Sequence, residues 1–175
     1  MAQVTNVLDF KKKLIGGGAR ANLFRAEITN SPLGAISEES SFLIKTAEMP
    51  GSTITPIIIP FRGRQLKVSG DRTFDPWTVT VINDANFTIR KFVERWMSLI
   101  NNHEDNQGLN DGYFGTLKVH QLNRDGSDTR SYEFVEAWPS DLGPISVSYD
   151  NENQLEEYQI TFQYQYWTTP DLIKS

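Results

Sequence analysis

From Tyr158 to Tyr166 the chain alternates without a slip, with Tyr158, Ile160, Phe162, Tyr164 and Tyr166 interleaved by Gln159, Thr161, Gln163 and Gln165. Successive side chains of a β-strand point to opposite faces, so this run makes a strand with one apolar and one polar side. Shorter runs repeat the pattern: Phe24, Ala26 and Ile28; Phe42 and Ile44 before Lys45; Leu66 and Val68 around Lys67; Trp77, Val79 and Val81. Leu117 and Val119, Tyr132 and Phe134 leading to Trp138, and Ile145, Val147 and Tyr149 continue it. Period-two patterning with a single apolar face predicts antiparallel sheet, dry on one side and wet on the other. Asp125-Gly126, within "NRDGSD", supplies a hairpin turn.

One segment breaks the period. Between Asn83 and Asn101, Ile89, Phe92, Val93, Trp96, Leu99 and Ile100 recur at helical spacing, which predicts an amphipathic helix over about 84–101. Asn83, Asp84 or Asn86 is placed to cap it. The fold class that follows is mostly β, an antiparallel barrel or sandwich with one flanking helix.

With 175 residues the chain fits one domain with room for a packed core. Residues 1–20 read as an N-terminal segment ending in the glycine joint "GGGAR", and 21–175 as the single β domain. No apolar run approaches the roughly 20 residues that span a bilayer, and the N-terminus lacks a signal-peptide core. The absence of cysteine excludes disulfides, thiol nucleophiles and thiolate metal sites together. A formal net charge of −5, with Lys11 to Lys13 as the one dense basic run, disfavours tight nucleic-acid binding.

No catalytic constellation emerges. His103 sits in a polar loop and His120 on a strand, which argues against zinc. "GGGARAN" lacks the Lys and Ser/Thr of a phosphate loop, and Leu109 falls where a calcium loop needs oxygen. Glu156 and Glu157 are neighbours on a strand and face opposite sides. The residues point to a structural or binding module without cofactors.

Two stretches exceed what a minimal β domain needs. In "MPGSTITPIIIPFRGR", about 49–64, three consecutive isoleucines cannot all face one core from a strand. Either the strand is buried on both faces, or it is an arm that docks on another subunit. In "GDRTFDPWTVTVIND", 70–84, Gly70 and Asp71 alone would serve a turn, yet Arg72 and Phe74 follow. Phe74 and Trp77 are expected to anchor this turn in the core. Asp71 and Arg72 then either pair across a subunit boundary or form an intramolecular pair that fixes the turn.

This same stretch resembles the tail tube proteins of T4-like contractile-tailed bacteriophages. "ANLFRAEI" (21–28), "KTAEMPG" (45–51), "RKFVERW" (90–96) and "EAWPSDLGPISVSYDNENQLEEYQITFQYQYW" (136–167) resemble that family's landmarks in the same order, so the likeness covers roughly 21–167. The chain departs from the family mainly at its ends and in "NSPLGAISEESS" (30–41).

The resemblance implies the tail-tube fold with an extended β-hairpin arm, and a structural virion protein, not an enzyme. Hexameric rings would stack into an inner tube, assembled in the host bacterial cytoplasm, that conducts DNA during ejection. The sheath protein would lie outside, with tape measure protein and genomic DNA passing through the lumen without tight binding. Baseplate and tail terminator proteins would meet its ends. Ile57, Ile58, Ile59 and Phe61 become candidates for contacts between rings, and Asp71 and Arg72 for the subunit boundary. Gln159, Thr161, Gln163 and Gln165 become candidates for the lumen wall. The alternatives are a baseplate-proximal tube initiator, or the inner tube of a phage-derived injection particle or type VI system. A third is a monomeric β-sandwich binding module.

Overall fold

A computed structural model describes residues 7–14, 18–36, 41, 43–150 and 152–170. Phe42 and part of the "GGGAR" joint lie outside the described residues. The strands are β1 (Phe24–Asn30), β2 (Ile44–Ala47), β3 (Thr53–Phe61), β4 (Arg64–Thr73), β5 (Trp77–Ile82), β6 (Gly115–Leu122), β7 (Asp128–Leu142), β8 (Glu157–Gln163) and β9 (Tyr166–Thr168). Two helices, α1 (Val7–Lys13) and α2 (Thr88–Ile100), complete the described elements. The second helix was expected. The first, which contains the Lys11–Lys13 run, was not anticipated and buries none of its residues.

Seven strands pair antiparallel in the order β1-β6-β7-β8-β5-β2, with β9 added beside β7. The end strands β1 and β2 are not hydrogen-bonded to each other, so of the two expected architectures the chain adopts the sandwich-like one. β7 makes this possible by serving both layers. Its first half pairs with β6 and β9, and its second half, from Trp138, pairs with β8. Between the halves Glu136 takes a left-handed φ of 53°, and the register against β6 shifts between Gly115 and Leu117. A bulge of this kind bends a strand around a sandwich corner.

The core lies between the layers. Ala26, Ile28, Leu117, Val119 and Phe134 come from one side, and Trp77, Val79, Val81, Ile160 and Phe162 from the other. Ile89, Val93 and Trp96 of α2 enter the same cluster. Trp96 is wholly buried and donates its indole N–H to the Tyr113 carbonyl at 2.7 Å. Gly115 makes room for it, since a Cβ there would lie 2.6 Å from both the Trp96 ring and the Asn30 carbonyl oxygen. The alternating strands behave as their sequences predict, and β5 buries every second residue.

Three boundaries differ from the sequence reading. α2 begins at Thr88 rather than near 84, because Asp84–Phe87 forms its own turn and Phe87 is left-handed. The Asp84 carboxylate still caps the helix, accepting the Thr88 backbone N–H and hydroxyl at 2.7 Å each, and these bonds lower its pKa. Ile145, Val147 and Tyr149 form no strand. Residues 143–148 have no regular structure, and Val147 and Tyr149 are exposed. The long C-terminal run breaks at Tyr164 and Gln165, where the chain leaves β5 and β7's second half to join β7's first half as β9.

Burial pushes the Tyr158 phenol up from 10.0 to about 12, with the Arg90 guanidinium 5.2 Å over its ring partly opposing the shift. A raised folded pKa on an acid favours the protonated, neutral side chain. This contribution is complete below pH 10 and lost as pH rises toward about 12. Tyr158→Phe should flatten that alkaline loss by up to roughly 2 kcal/mol, measured as urea unfolding at pH values across the window.

Candidate interaction site

β3 and β4 pair only with each other and form a separate two-stranded sheet. The hairpin turns at Arg62-Gly63, with φ of 46° and 82°. Two consecutive positive φ values match the twist of tight hairpins, and the second position suits glycine. The Arg62 guanidinium lies 5.4 Å from the Phe61 ring centroid. Every residue of β3 is exposed, including Ile57 at 55%, Ile58 at 50%, Ile59 at 45% and Phe61 at 65%. Of the two readings of "PIIIP", the structure adopts the projecting arm, not a strand buried on both faces.

Register sorts the arm into two faces. Ile57 opposes Val68, Ile59 opposes Leu66 and Phe61 opposes Arg64, so five large apolar side chains share one face. Ile58 shares the other with Pro56, Pro60, Gln65, Lys67 and Ser69. An isolated two-stranded ribbon is marginally stable in water, and one with a bare apolar face has surface to bury. Pro56 and Pro60 carry no N–H and cannot donate to β4, so they occupy positions whose backbone faces away from it. β4's own outer edge has no proline.

Asp71 and Arg72 are not in a turn. They lie within β4, near the arm's base, and both are exposed. Gly70 serves the ladder, because a Cβ there would sit 2.4 Å from the Thr55 carbonyl oxygen, opposite the bulge between Ile54 and Pro56. Arg72 opposes Ile54, and its guanidinium lies 3.4 Å from the Ser52 hydroxyl. Asp71 and Arg72 form no intramolecular ion pair with each other, as neighbours on a strand point to opposite sides.

The arm is held where it leaves the body. Trp77 is 4% exposed, packs on Phe134 at 4.5 Å between ring centroids, and donates its indole N–H to the Glu48 carbonyl at 2.7 Å. The Trp167 indole donates to the Gly51 carbonyl at 3.0 Å. Half-buried Phe74, just after β4, packs against Tyr164 at 6.1 Å and Trp167 at 6.4 Å. Burial, and secondarily the negative Asp75, push the Tyr164 phenol up. Trp77 therefore enters the core as expected, Phe74 instead stays half-buried against Tyr164 and Trp167 outside the core cluster, and Trp167 gave no local sign of its role.

The polar row on β8 is shorter than expected. Gln159 opposes Thr80 and Thr161 opposes Thr78, so these side chains line the outer face of one layer, with Gln163 following on β8. The Thr78 and Thr161 hydroxyls are 3.2 Å apart, and the Thr161 carbonyl accepts from the Ser140 hydroxyl. Gln165 lies in the break between β8 and β9, its backbone N–H bonded to the Val135 carbonyl. His120 is buried with its ring nitrogens each 3.0 Å from a carboxylate oxygen, Glu27 on β1 and Asp128 on β7, and thus braces three strands. No cluster of metal-ligating side chains and no helix of membrane-spanning length occurs among the described residues.

If the indole bonds and Phe74 hold the arm's base, weakening them should loosen the arm while sparing the core. Trp167→Phe together with Phe74→Ala should accelerate tryptic cleavage at Arg62 and Arg64 several-fold with only a small change in melting temperature. Unchanged cleavage would mean that the ribbon orders itself.

The sequence profile of the phage tail tube protein family matches residues 19–170. Tail tube protein gp19 of Enterobacteria phage T4 is 33% identical over 156 residues, covering 87% of this chain and 92% of that protein. Its counterpart in Enterobacteria phage T6 is 32% identical over the same length. The fold is similar to a chain from the sheath/tube terminator of an extracellular contractile injection system, at TM-score 0.64 and 13% identity, covering 86% of this chain and 94% of that one. It also resembles the Hcp1 protein from E. coli EAEC 042, at TM-score 0.53 and 12% identity, with coverage of 86% and 94%. On the extent of the profile match and the identity to the T4 protein, the chain belongs to the phage tail tube protein family, structural proteins of contractile phage tails.

Proposed function

We propose that this chain is the repeating subunit of an inner tail tube, in which hexameric rings stack and enclose the path of DNA ejection. The observation that carries this reading is the arm, whose apolar face stays exposed on its own subunit. A ring stack gives that face a partner in every copy. Ile57, Ile58, Ile59 and Phe61 are then buried between rings, and Asp71 and Arg72, at the arm's base, lie at the subunit boundary and set register more than affinity. The tube sits within a sheath in the virion tail, assembled in the host cytoplasm, and ends on baseplate and terminator proteins. Tape measure protein and DNA occupy the lumen without tight binding. No cofactor or catalytic set enters this role.

A tube initiator, or an inner tube of an injection particle or type VI system, would use the same geometry. The higher identity to the T4 protein favours the phage tube, since the injection-system likenesses are of fold alone. Negative-stain microscopy of purified protein separates these tube readings from a monomeric binding sandwich, which would give discrete small particles.

Replacing Ile57, Ile58 and Ile59 with Ser should leave a folded subunit that stacks poorly, because each isoleucine buried between rings contributes about 1.5–3 kcal/mol. Sedimentation velocity compares the variant with the parent, and normal polymerisation would remove the arm from the stacking contact.

The lumen wall is assigned to the outer face bearing Gln159, Thr161, Gln163, Thr78 and Thr80, with exposed Gln165 beyond the strand. These groups bond water and offer phosphate no cation. Lysine at Gln159 and Gln163 should leave tubes intact but slow genome ejection, most strongly at low salt. Ejection at the parental rate in low salt would place this face elsewhere in the assembly.

A further inference from the structure

We infer that the arm of one copy is received by the acidic loop between β7 and β8 of a second copy, at Val147, Tyr149, Asp150, Glu152 and Leu155. This rests on the stacked-tube reading and names the surface it requires.

Charge along the chain is strongly segregated. The arm carries Arg62, Arg64, Lys67 and Arg72 against Asp71, a net of +3, while the chain as a whole carries −5, leaving −8 on the rest. From Ser131 to Ile173 there is no Lys, Arg or His at all, and the acids in that span include Asp141, Asp150, Glu152, Glu156 and Glu157. The arm is thus a basic, apolar projection on an otherwise acidic protein.

Its receptor must offer the opposite charge beside uncovered apolar surface. Val147, Tyr149 and Leu155 are large and exposed in the loop, and Val147 and Leu155 line an open groove with Pro144 and Glu156. Glu157 is occupied by Lys45 at 2.7 Å, and Glu156 accepts from the Asn83 amide. Asp150 and Glu152 form no ion pair among the described residues. Arg62, Arg64 and Lys67 likewise form none among the described residues, and Arg62 rests on the Phe61 ring.

A second acidic loop, at 102–112, fits less well. The Asp105 and Asp111 carboxylates accept backbone N–H groups of their own loop, and Leu109 is its only large exposed apolar residue. The β7–β8 loop combines acids that form no ion pair among the described residues with three apolar side chains, which matches the arm's face of Ile57, Ile59, Phe61, Leu66 and Val68 with Arg64 on the same face and Arg62 at its tip. The arm's own subunit does not supply this contact, because those residues are all exposed.

Charge reversal tests the pairing on the full chain, with folding checked by circular dichroism. D150K/E152K and R62E/R64E should each raise the critical concentration for tube assembly about tenfold or more, since like charges juxtaposed at an interface oppose association. The fourfold variant restores opposite signs between copies and should recover assembly, whereas E104K/D105K should leave it unchanged. Normal assembly of D150K/E152K, or a fourfold variant no better than either pair, overturns the inference. If D150K/E152K assembles normally while the triple Ser variant of Ile57–Ile59 does not, the docking arm stands and only its receptor is wrong. Should parent protein form no tube, the function itself fails. Because the chain has no cysteine, R62C/E152C offers an independent measurement. Oxidised tubes should give a ladder of linked subunits, and a ladder from R62C/E104C instead would overturn the assignment.

Discussion

The burial of Trp77 ties the sandwich to its projection. The indole packs in tilted contact with Phe134 of one layer and Phe162 of the other, and its N–H reaches out to the Glu48 carbonyl. A buried aromatic brings large apolar area into the core, and a polar handle that must find an acceptor. Here the acceptor is the backbone just before β3. The bond that satisfies the core therefore also fixes where the arm departs, and four residues earlier in sequence the arm's second strand has just ended. At Trp77 the rigid body and the extended ribbon meet, with Trp167 and Phe74 holding the same junction.

Much of the body was legible because its two periods are clean. β5 and β8 bury alternate residues, and α2 buries Ile89, Val93 and Trp96 at helical spacing. The failures occur where local pattern and tertiary demand diverge. Ile145, Val147 and Tyr149 alternate like a strand, yet β7 ends at Leu142 and these residues find no neighbour to bond. Tyr164 and Gln165 continue a perfect alternation but fall where the chain changes layers. Period alone cannot report a strand's partner.

The candidate site was legible in a different way. "PIIIP" revealed itself by contradiction, as an apolar run with no core to enter. Gly70-Asp71 misled because glycine beside aspartate is a turn signal, and the actual turn uses Arg62, whose positive φ nothing in its side chain announces. The glycine answers to a carbonyl across the ribbon instead. Asp71 and Arg72 kept their interest but moved from a turn to the base of the arm. Trp167's bond to Gly51 spans 116 positions of sequence, and no local pattern encodes such a contact.

The two prolines of β3 also bear on how one exposed ribbon could meet another; two ribbons could pair along their edges. Zipping two of them edge to edge needs a row of amide donors on each. Along the outward side of β3, Pro56 and Pro60 leave gaps in that row, so a seam begun at Ile58 has no amide donor at either neighbouring outward position. The same gaps are harmless in a contact made through side chains. Backbone silence on this edge thus turns a pairing strand away from β3 while leaving the faces of the ribbon open to contact, and the proline-free outer edge of β4 keeps its donors.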